Sequence, residues 1–166
     1  MNYRKLIQGS FEVTQFAYVT RDIKSSAARF AARAGIESFP YIQSLCSATI
    51  PGPFESRWGC VFFGESTMIE LIEPLSGNCE LYTKSLPPAG EDLRLHHLGM
   101  FTQDFGRWKA ILKAIDDEGM QIALAVTHPS TESIYVDHCA DLGHYIEIGL
   151  LNGDEGMKEL KNWPHY

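Results

Sequence analysis

Four polar side chains stand inside segments that otherwise have the composition of apolar β-strands. They are Gln15, Glu70, His97 and Glu147. Side chains alternate between the two faces of a strand, so each of these residues should share its face with apolar neighbours. Burial of the carboxylates of Glu70 and Glu147 without partners would cost several kcal/mol. A divalent cation bound between them would remove that cost, and metal chemistry is therefore the first possibility to consider.

An internal repeat predicts how these residues are positioned. The segments 15–23 and 97–105 are both short apolar runs that contain an Asp, and an offset of 82 residues relates Gln15 to His97 and Asp22 to Asp104. Asp is a good N-cap because its carboxylate accepts hydrogen bonds from the free N–H groups of the first helical turn. The repeat therefore predicts two equivalent strand–helix units.

Each predicted helix has one apolar face and ends at a glycine. After Asp22 and Asp104, apolar residues recur at helical spacing, and Gly35 and Gly119 are suited to left-handed C-caps. The face of the first helix comprises Ile23, Ala27, Phe30, Ala31 and Ala34, and that of the second Phe105, Trp108, Ile111, Leu112 and Ile115.

Strand-like segments follow both helices. They cover 38–43, 46–50, 57–64 and 67–73 in the first half, with a Pro/Gly turn at 51–53, and 121–126, 133–137 and 144–150 in the second half. Their Ile, Val and Tyr content favours β-structure. The predicted fold class is α+β, a single domain over 11–150 made of two βαβββ modules at about 11–75 and 94–150. A loop at 75–92 joins them, and the tail 151–166 should form a short helix that ends near Pro164.

The paired βαβββ modules resemble the vicinal oxygen chelate (VOC) superfamily, which includes glyoxalase I, methylmalonyl-CoA epimerase, bleomycin-resistance proteins and extradiol dioxygenases. Three segments carry the resemblance: Ile-Glu-Leu-Ile-Glu-Pro-Leu at 69–75, Leu-His-His-Leu-Gly-Met at 95–100, and Leu-Gly-His-Tyr-Ile-Glu at 142–147. The first two are similar to epimerase segments, and the third is similar to the closing strand of the family. The resemblance implies that the two modules form a cupped mixed sheet.

The resemblance also implies a metal site on the concave face of that sheet, here called the cup. Gln15, Glu70, His97 and Glu147 would be its ligands, one from the first and one from the last strand of each module. Three oxygen ligands and one imidazole favour one divalent Zn, Co, Ni, Mn or Mg ion. Gln15 replaces the His of epimerases, as in animal glyoxalase I, and it disfavours the two-His-one-carboxylate iron site of dioxygenases.

The implied reaction is proton transfer beside a carbonyl group of a small-molecule substrate. Glu147 is the first candidate for the base. Glu55 is the second, because epimerases carry a Glu just before their third strand, although the spacing here differs by two residues. Val19 and Pro74 stand where glyoxalases have glutathione-binding Arg and Asn residues. The resemblance therefore favours an isomerase, epimerase or lyase other than a glutathione-dependent glyoxalase.

Two alternatives remain open at the level of sequence, and one neighbouring residue needs a separate prediction. The cup could serve a metal-free protein that sequesters small molecules. A rival metal cluster could form in a predicted hairpin turn from Asp137, His138, Cys139, Asp141 and His144, although such residues are also common turn formers. His96 neighbours His97, and strict alternation predicts that it faces away from the cup.

Composition excludes other functions. The 166-residue chain has a net charge of −7 and no basic stripe, so neither nucleic acid nor an anionic membrane surface is an expected partner. Its four cysteines include no Cys-x-x-Cys pair, which indicates reduced thiols and a cytoplasmic location. Residues 1–8 lack the apolar region of a secretory signal.

A homodimer is predicted, because half-cup sheets leave apolar edges and because the second helix and Trp163 add apolar surface.

Overall fold

The computed structural model describes residues 11–166. Its nine strands are β1 (Val13–Val19), β2 (Ile42–Cys46), β3 (Ala48–Ile50), β4 (Phe54–Phe63), β5 (Thr67–Gly77), β6 (Arg94–Thr102), β7 (Ile122–His128), β8 (Thr131–His138) and β9 (His144–Leu151). The helices are α1 (Ile23–Ala34), α2 (Glu80–Thr83), α3 (Phe105–Asp117), α4 (Cys139–Leu142) and α5 (Gly153–Lys161). The interpretation of residues 1–8 lies outside the described residues.

The strands form one mixed sheet that repeats its topology. Their order is β2-β4-β5-β1-β6-β9-β8-β7-β3. The first βαβββ unit is β1-α1-β2-β4-β5 and the second is β6-α3-β7-β8-β9, and the two units meet where β1 pairs antiparallel with β6. The predicted α+β class with a cupped mixed sheet is thereby confirmed.

Strand β3 lies within the predicted strand-like segment 46–50, but it has no counterpart in the second unit. It pairs with β7 at the far edge of the sheet, whereas β2 occupies the opposite edge. Only Ser47 separates β2 from β3 along the chain. Since one residue cannot cross a flat nine-stranded sheet, the sheet must curl until its two edges approach each other. The cup is therefore nearly closed.

The two predicted helices are present and pack on the convex side of the sheet. Asp22 caps α1 by accepting from the backbone N–H of Ser25, and Asp104 caps α3 by accepting from that of Arg107. Gly35 follows α1 at φ 69°, a left-handed conformation that favours glycine. The helices bury their apolar faces against the sheet in separate clusters, which leaves the concave face free for a site.

The connecting loop and the tail contain more structure than the sequence indicated. Strand β5 continues to Gly77, and the short helix α2 follows within the predicted loop. Beyond α5 the chain returns to β4, where Phe62 N–H donates to the Pro164 carbonyl and Tyr166 N–H donates to the Phe62 carbonyl. The tail is thus attached to the sheet. In the described part of the chain, no helix has the length and apolar character needed to cross a membrane.

Candidate functional site

The pairing of β1 with β6 positions the first two candidate ligands. Gln15 lies opposite Gly99, and Ala17 lies opposite His97. The repeat offset relates Gln15 to His97 and Ala17 to Gly99, so the pairing has pseudo-two-fold symmetry. A Cβ atom on Gly99 would stand 2.9 Å from Oε1 of Gln15. The missing side chain at Gly99 therefore leaves space for the Gln15 amide.

The outer neighbours of β1 and β6 supply the two carboxylates. Strand β5 runs parallel to β1 and places Glu70 beside Ala17, and β9 runs parallel to β6 and places Glu147 beside Gly99. Ala17 and Gly99 are equivalent positions of the repeat, so Glu70 and Glu147 are equivalent as well. The sheet brings all four predicted ligands to one place.

The four side chains contact one another directly. Nε2 of Gln15 donates to Oε2 of Glu70 at 2.6 Å and lies 3.2 Å from Nε2 of His97. The same His97 nitrogen lies 3.0 Å from Oε2 of Glu147 and 3.5 Å from Oε2 of Glu70. His97 Nε2 is therefore the centre of the cluster, and a bound ion would have to replace these contacts.

Burial makes this cluster electrostatically unusual. Gln15, His97 and Glu147 are all buried. Burial raises the pKa of Glu70 well above its ordinary value, and the nearby Glu147 charge raises it further, while the hydrogen bond from Gln15 opposes both effects. Two carboxylates in such a place resist full ionisation unless a positive charge accompanies them. A cation is one way to supply that charge.

The donor set fits a divalent ion, although it is not a closed cage. It offers two carboxylates, one imidazole and one amide, which suits borderline or hard ions. Oε1 of Gln15 is buried and has no hydrogen-bond partner. Rotation of the amide would turn this oxygen toward His97 Nε2. Within residues 11–166, no three His, Cys, Asp or Glu side chains form a metal-binding group by themselves. The fit therefore depends on the Gln15 amide and on a rearrangement of the carboxylates.

His96 faces the cup, which contradicts the prediction from alternation. The pairing of β6 with β1 shifts register at this point, since Ala17 pairs with His97 whereas Tyr18 pairs with Leu95. His96 is the extra residue of this β-bulge, and a bulge redirects a side chain that strict alternation would place on the other face. It is buried and stacks on Tyr82 with the ring centroids 4.6 Å apart.

Glu55 does not reach the cup. Strand β4 begins at Phe54, earlier than predicted, and Ser56, Trp58 and Cys60 are its cavity-lining residues together with Phe54. Alternation therefore places Glu55 on the other face, where it accepts hydrogen bonds from Gln43 and Ser76. The position of Glu55 does not support its predicted role as a second base.

The rival cluster has a structural role in its turn. Asp137 accepts the backbone N–H of Cys139 at the start of α4, and Nδ1 of His144 contacts the carbonyl of Tyr145. No metal-binding group of His, Cys, Asp or Glu occurs there or elsewhere in residues 11–166. The turn-forming interpretation of this segment therefore fits the structure better.

The cluster lies at the base of a cavity of about 410 Å³. Most of its wall is apolar or aromatic, including Phe54, Trp58, Met68, Ile72, Tyr82, Phe101 and Leu124. No Lys or Arg lines it among the described residues, and its charged lining residues are Glu70, Glu147 and Glu159, with His128 near the last. This size and polarity are typical of small-molecule sites.

Two aromatic residues of the site were missed at the level of sequence. The hydroxyl of Tyr135 lies 3.5 Å from Nε2 of His97, and Tyr82 packs against His96. Tyr135 pairs with Glu147 across β8 and β9, so its register could have indicated the contact. Tyr82 lies in α2, within the segment that the sequence predicted to be a loop, and carried no comparable signal.

The likeness to known proteins is structural. No protein-family model matches the chain, and no curated protein matches it in sequence. A methylmalonyl-CoA epimerase in complex with methylmalonyl-CoA is similar with a TM-score of 0.59 at 13% identity, over 87% of this chain and 97% of that one. The epimerase from Mycobacterium tuberculosis gives 0.56 at 12% identity, over 89% and 94%.

A second kind of enzyme also has a similar structure. A mutant of 4-hydroxymandelate synthase from Streptomyces coelicolor matches with a TM-score of 0.50 at 13% identity, over 87% of this chain and 49% of that chain. Both kinds of enzyme are VOC proteins. Together with the two βαβββ units and their curled mixed sheet, these matches show that the chain has the fold of the vicinal oxygen chelate superfamily.

Proposed function

We propose that the chain is a metal-dependent enzyme of the isomerase, epimerase or lyase type that acts on a small carbonyl or acyl compound. The observation that carries the proposal is the convergence of Gln15, Glu70, His97 and Glu147 at the base of an apolar cavity. Burying two carboxylates beside a neutral amide and an imidazole costs free energy, and a bound cation would offset that cost.

The four residues would hold one divalent ion, whose chemistry is to polarise a substrate carbonyl and stabilise the enolate formed by loss of the neighbouring proton. Glu147 is the proposed base. It lines the cavity and lies 3.0 Å from His97, so it can be reached by a substrate above the cluster.

The cavity favours uncharged, apolar substrates. A glutathione hemithioacetal would bring carboxylates, which need cationic partners. No Lys or Arg lines the described cavity, and Val19 and Pro74 stand in place of glutathione contacts. We therefore expect no useful turnover of methylglyoxal with glutathione in a standard glyoxalase assay. Turnover comparable with that of a dedicated glyoxalase would contradict this expectation and favour a glutathione-dependent reaction.

Metal binding gives the direct test. Protein purified without a metal-affinity column should contain one divalent ion per chain by elemental analysis. Removal of this ion with EDTA should lower the melting temperature, because a ligand at 100 times its Kd stabilises the folded state by about 2.7 kcal/mol. Glu70→Gln should abolish most of this effect, whereas Glu55→Gln, outside the cup, should retain it. Absence of metal together with an unchanged melting temperature would contradict the proposal.

A metal-free binding protein is the second candidate function. The supporting observation is that the cluster hydrogen-bonds to itself below an apolar cavity of about 410 Å³. Such a protein would bind apolar compounds equally well before and after EDTA treatment. The enzyme proposed above would instead bind carbonyl compounds more tightly when its metal is present.

A homodimer stays a prediction, but the structure changes its rationale. Trp163 packs against Trp58 with ring centroids 5.3 Å apart, so it offers less free surface than expected, whereas Phe105 on α3 is exposed as the prediction requires. Leu45 is 70% exposed, and Ile42, also on β2, is exposed too, which adds a second apolar patch. Light scattering at micromolar concentration should give twice the chain mass, and Leu45→Glu should lower it. A monomer mass for the unmodified chain would contradict the prediction.

A further inference from the structure

We infer that His96 is a positioning residue that fixes the tautomer of His97 and so directs the lone pair of His97 Nε2 to the metal site. This inference rests on the proposed function for the identity of the site, but its geometry is independent of it. Nε2 of His96 lies 3.2 Å from the Leu81 carbonyl, and Nδ1 of His96 lies 2.8 Å from Nδ1 of His97.

The contact with the Leu81 carbonyl determines which ring nitrogens of His96 and His97 carry protons. A carbonyl oxygen only accepts hydrogen bonds, so the proton between His96 and Leu81 belongs to His96 Nε2. The Nδ1 atom of neutral His96 is then an acceptor. The proton between the two rings must therefore lie on Nδ1 of His97. This leaves a lone pair on His97 Nε2, and the Gln15 amide, 3.2 Å away, can donate a hydrogen bond to it in the metal-free protein.

His96 is held rigidly enough for this task. The β-bulge turns it toward the cup, and it is 1% exposed. It stacks on Tyr82 at an interplanar angle of 28° and packs against Tyr145 with centroids 5.0 Å apart. Metal-binding histidines commonly donate their second nitrogen to a fixed partner, and loss of that partner typically costs about 10–100-fold in metal affinity.

Two variants separate hydrogen bonding from packing. His96→Phe keeps a ring against Tyr82 but removes the acceptor, whereas His96→Asn keeps an acceptor near the Nδ1 position and loses the ring. His144→Phe, at the start of β9, is the matched control. The readouts are the ¹⁵N and ¹H signals of the His97 ring in the metal-free protein and Zn²⁺ affinity by chelator competition.

We expect unmodified protein to show a proton on His97 Nδ1 that is protected from solvent exchange. His96→Phe should lose that protection and bind Zn²⁺ about 10–100-fold more weakly. His96→Asn and His144→Phe should remain close to the unmodified protein in both readouts. Recovery by Asn but not by Phe would show that the acceptor matters and not the packing of the ring.

Two results would overturn the inference. One is a His97 ring protonated on Nε2 but not on Nδ1 in the unmodified, metal-free protein. The other is His96→Phe with unchanged Nδ1 protection and unchanged Zn²⁺ affinity. The NMR comparison requires no metal, so a chain that fails to bind Zn²⁺ would count against the proposed function, while the metal-free spectra would still decide the role of His96.

Discussion

Replacement of Glu147 by glutamine is expected to slow proton exchange next to a substrate carbonyl by about 10²–10⁴-fold, the contribution typical of a positioned acid or base. The amide keeps the shape of the carboxylate but cannot accept the proton. It also weakens the contact with His97, which lies 3.0 Å from the Glu147 carboxylate in the native chain. The measurement is solvent deuterium incorporation, followed by NMR across a panel of uncharged 2-substituted carbonyl compounds.

The control for this experiment is Glu55→Gln, which changes the same functional group outside the cup. It should leave deuterium incorporation close to that of the unmodified protein, since Glu55 contacts Gln43 and Ser76 instead of the cavity. Thermal melting of both variants separates a chemical effect from unfolding. Exchange at the native rate in folded, metal-loaded Glu147→Gln would refute a proton-transfer role for Glu147.

A large loss of stability is expected when Gly59 is replaced by alanine. Its added Cβ would lie 2.0 Å from the Pro40 carbonyl oxygen and 2.8 Å from Cα of Tyr41. Both are backbone atoms, so a simple side-chain rotation cannot relieve the clash. Overpacking of this kind typically lowers the free energy of unfolding by about 1–3 kcal/mol. Urea denaturation monitored by circular dichroism measures the change.

Gly106→Ala is the comparison variant. Gly106 lies in the first turn of α3, and the nearest atom to its added Cβ is Oδ1 of Asp104, a side-chain atom, at 3.2 Å. Alanine is favoured over glycine in helices by about 1 kcal/mol, which offsets the cost of shifting this carboxylate. Its unfolding midpoint should stay near that of the native chain. Equal midpoints for Gly59→Ala and the native chain would contradict the prediction, because they would show that the backbone before β2 can shift at little cost in free energy.

Local patterns were sufficient to predict the two strand–helix units, and the family resemblance was needed to bring the four clustered residues together. The N-caps at Asp22 and Asp104 are formed by residues three positions apart, so they are visible in sequence. Alternation also predicted which neighbours share a strand face with Gln15 and with Glu147, because β1 and β9 are regular over those residues. The register of a regular strand is transmitted from one residue to the next.

The sequence-based predictions failed where the position of a residue or strand depends on a partner that is distant along the chain. His96 lies in a bulge that exists only because β6 pairs with β1, and no residue near His96 encodes that shift by itself. Glu55 was placed before a strand that in fact begins at Phe54, since pairing with β2 and β5 extends β4. Strand β3 joins β7 across more than seventy residues of chain, a separation beyond any local pattern.

The attachment of the tail to β4 has a consequence for solubility. Strand β2 pairs with β4 only from Phe54 to Trp58, so the later part of β4 would present unpaired backbone groups on that side. The tail occupies them, since Gly64 N–H donates to the Tyr166 carbonyl beyond the contacts at Phe62. An uncovered strand edge is a template for strands of other molecules. Residues 164–166 therefore cover this edge and disfavour edge-to-edge aggregation of the sheet that carries the site.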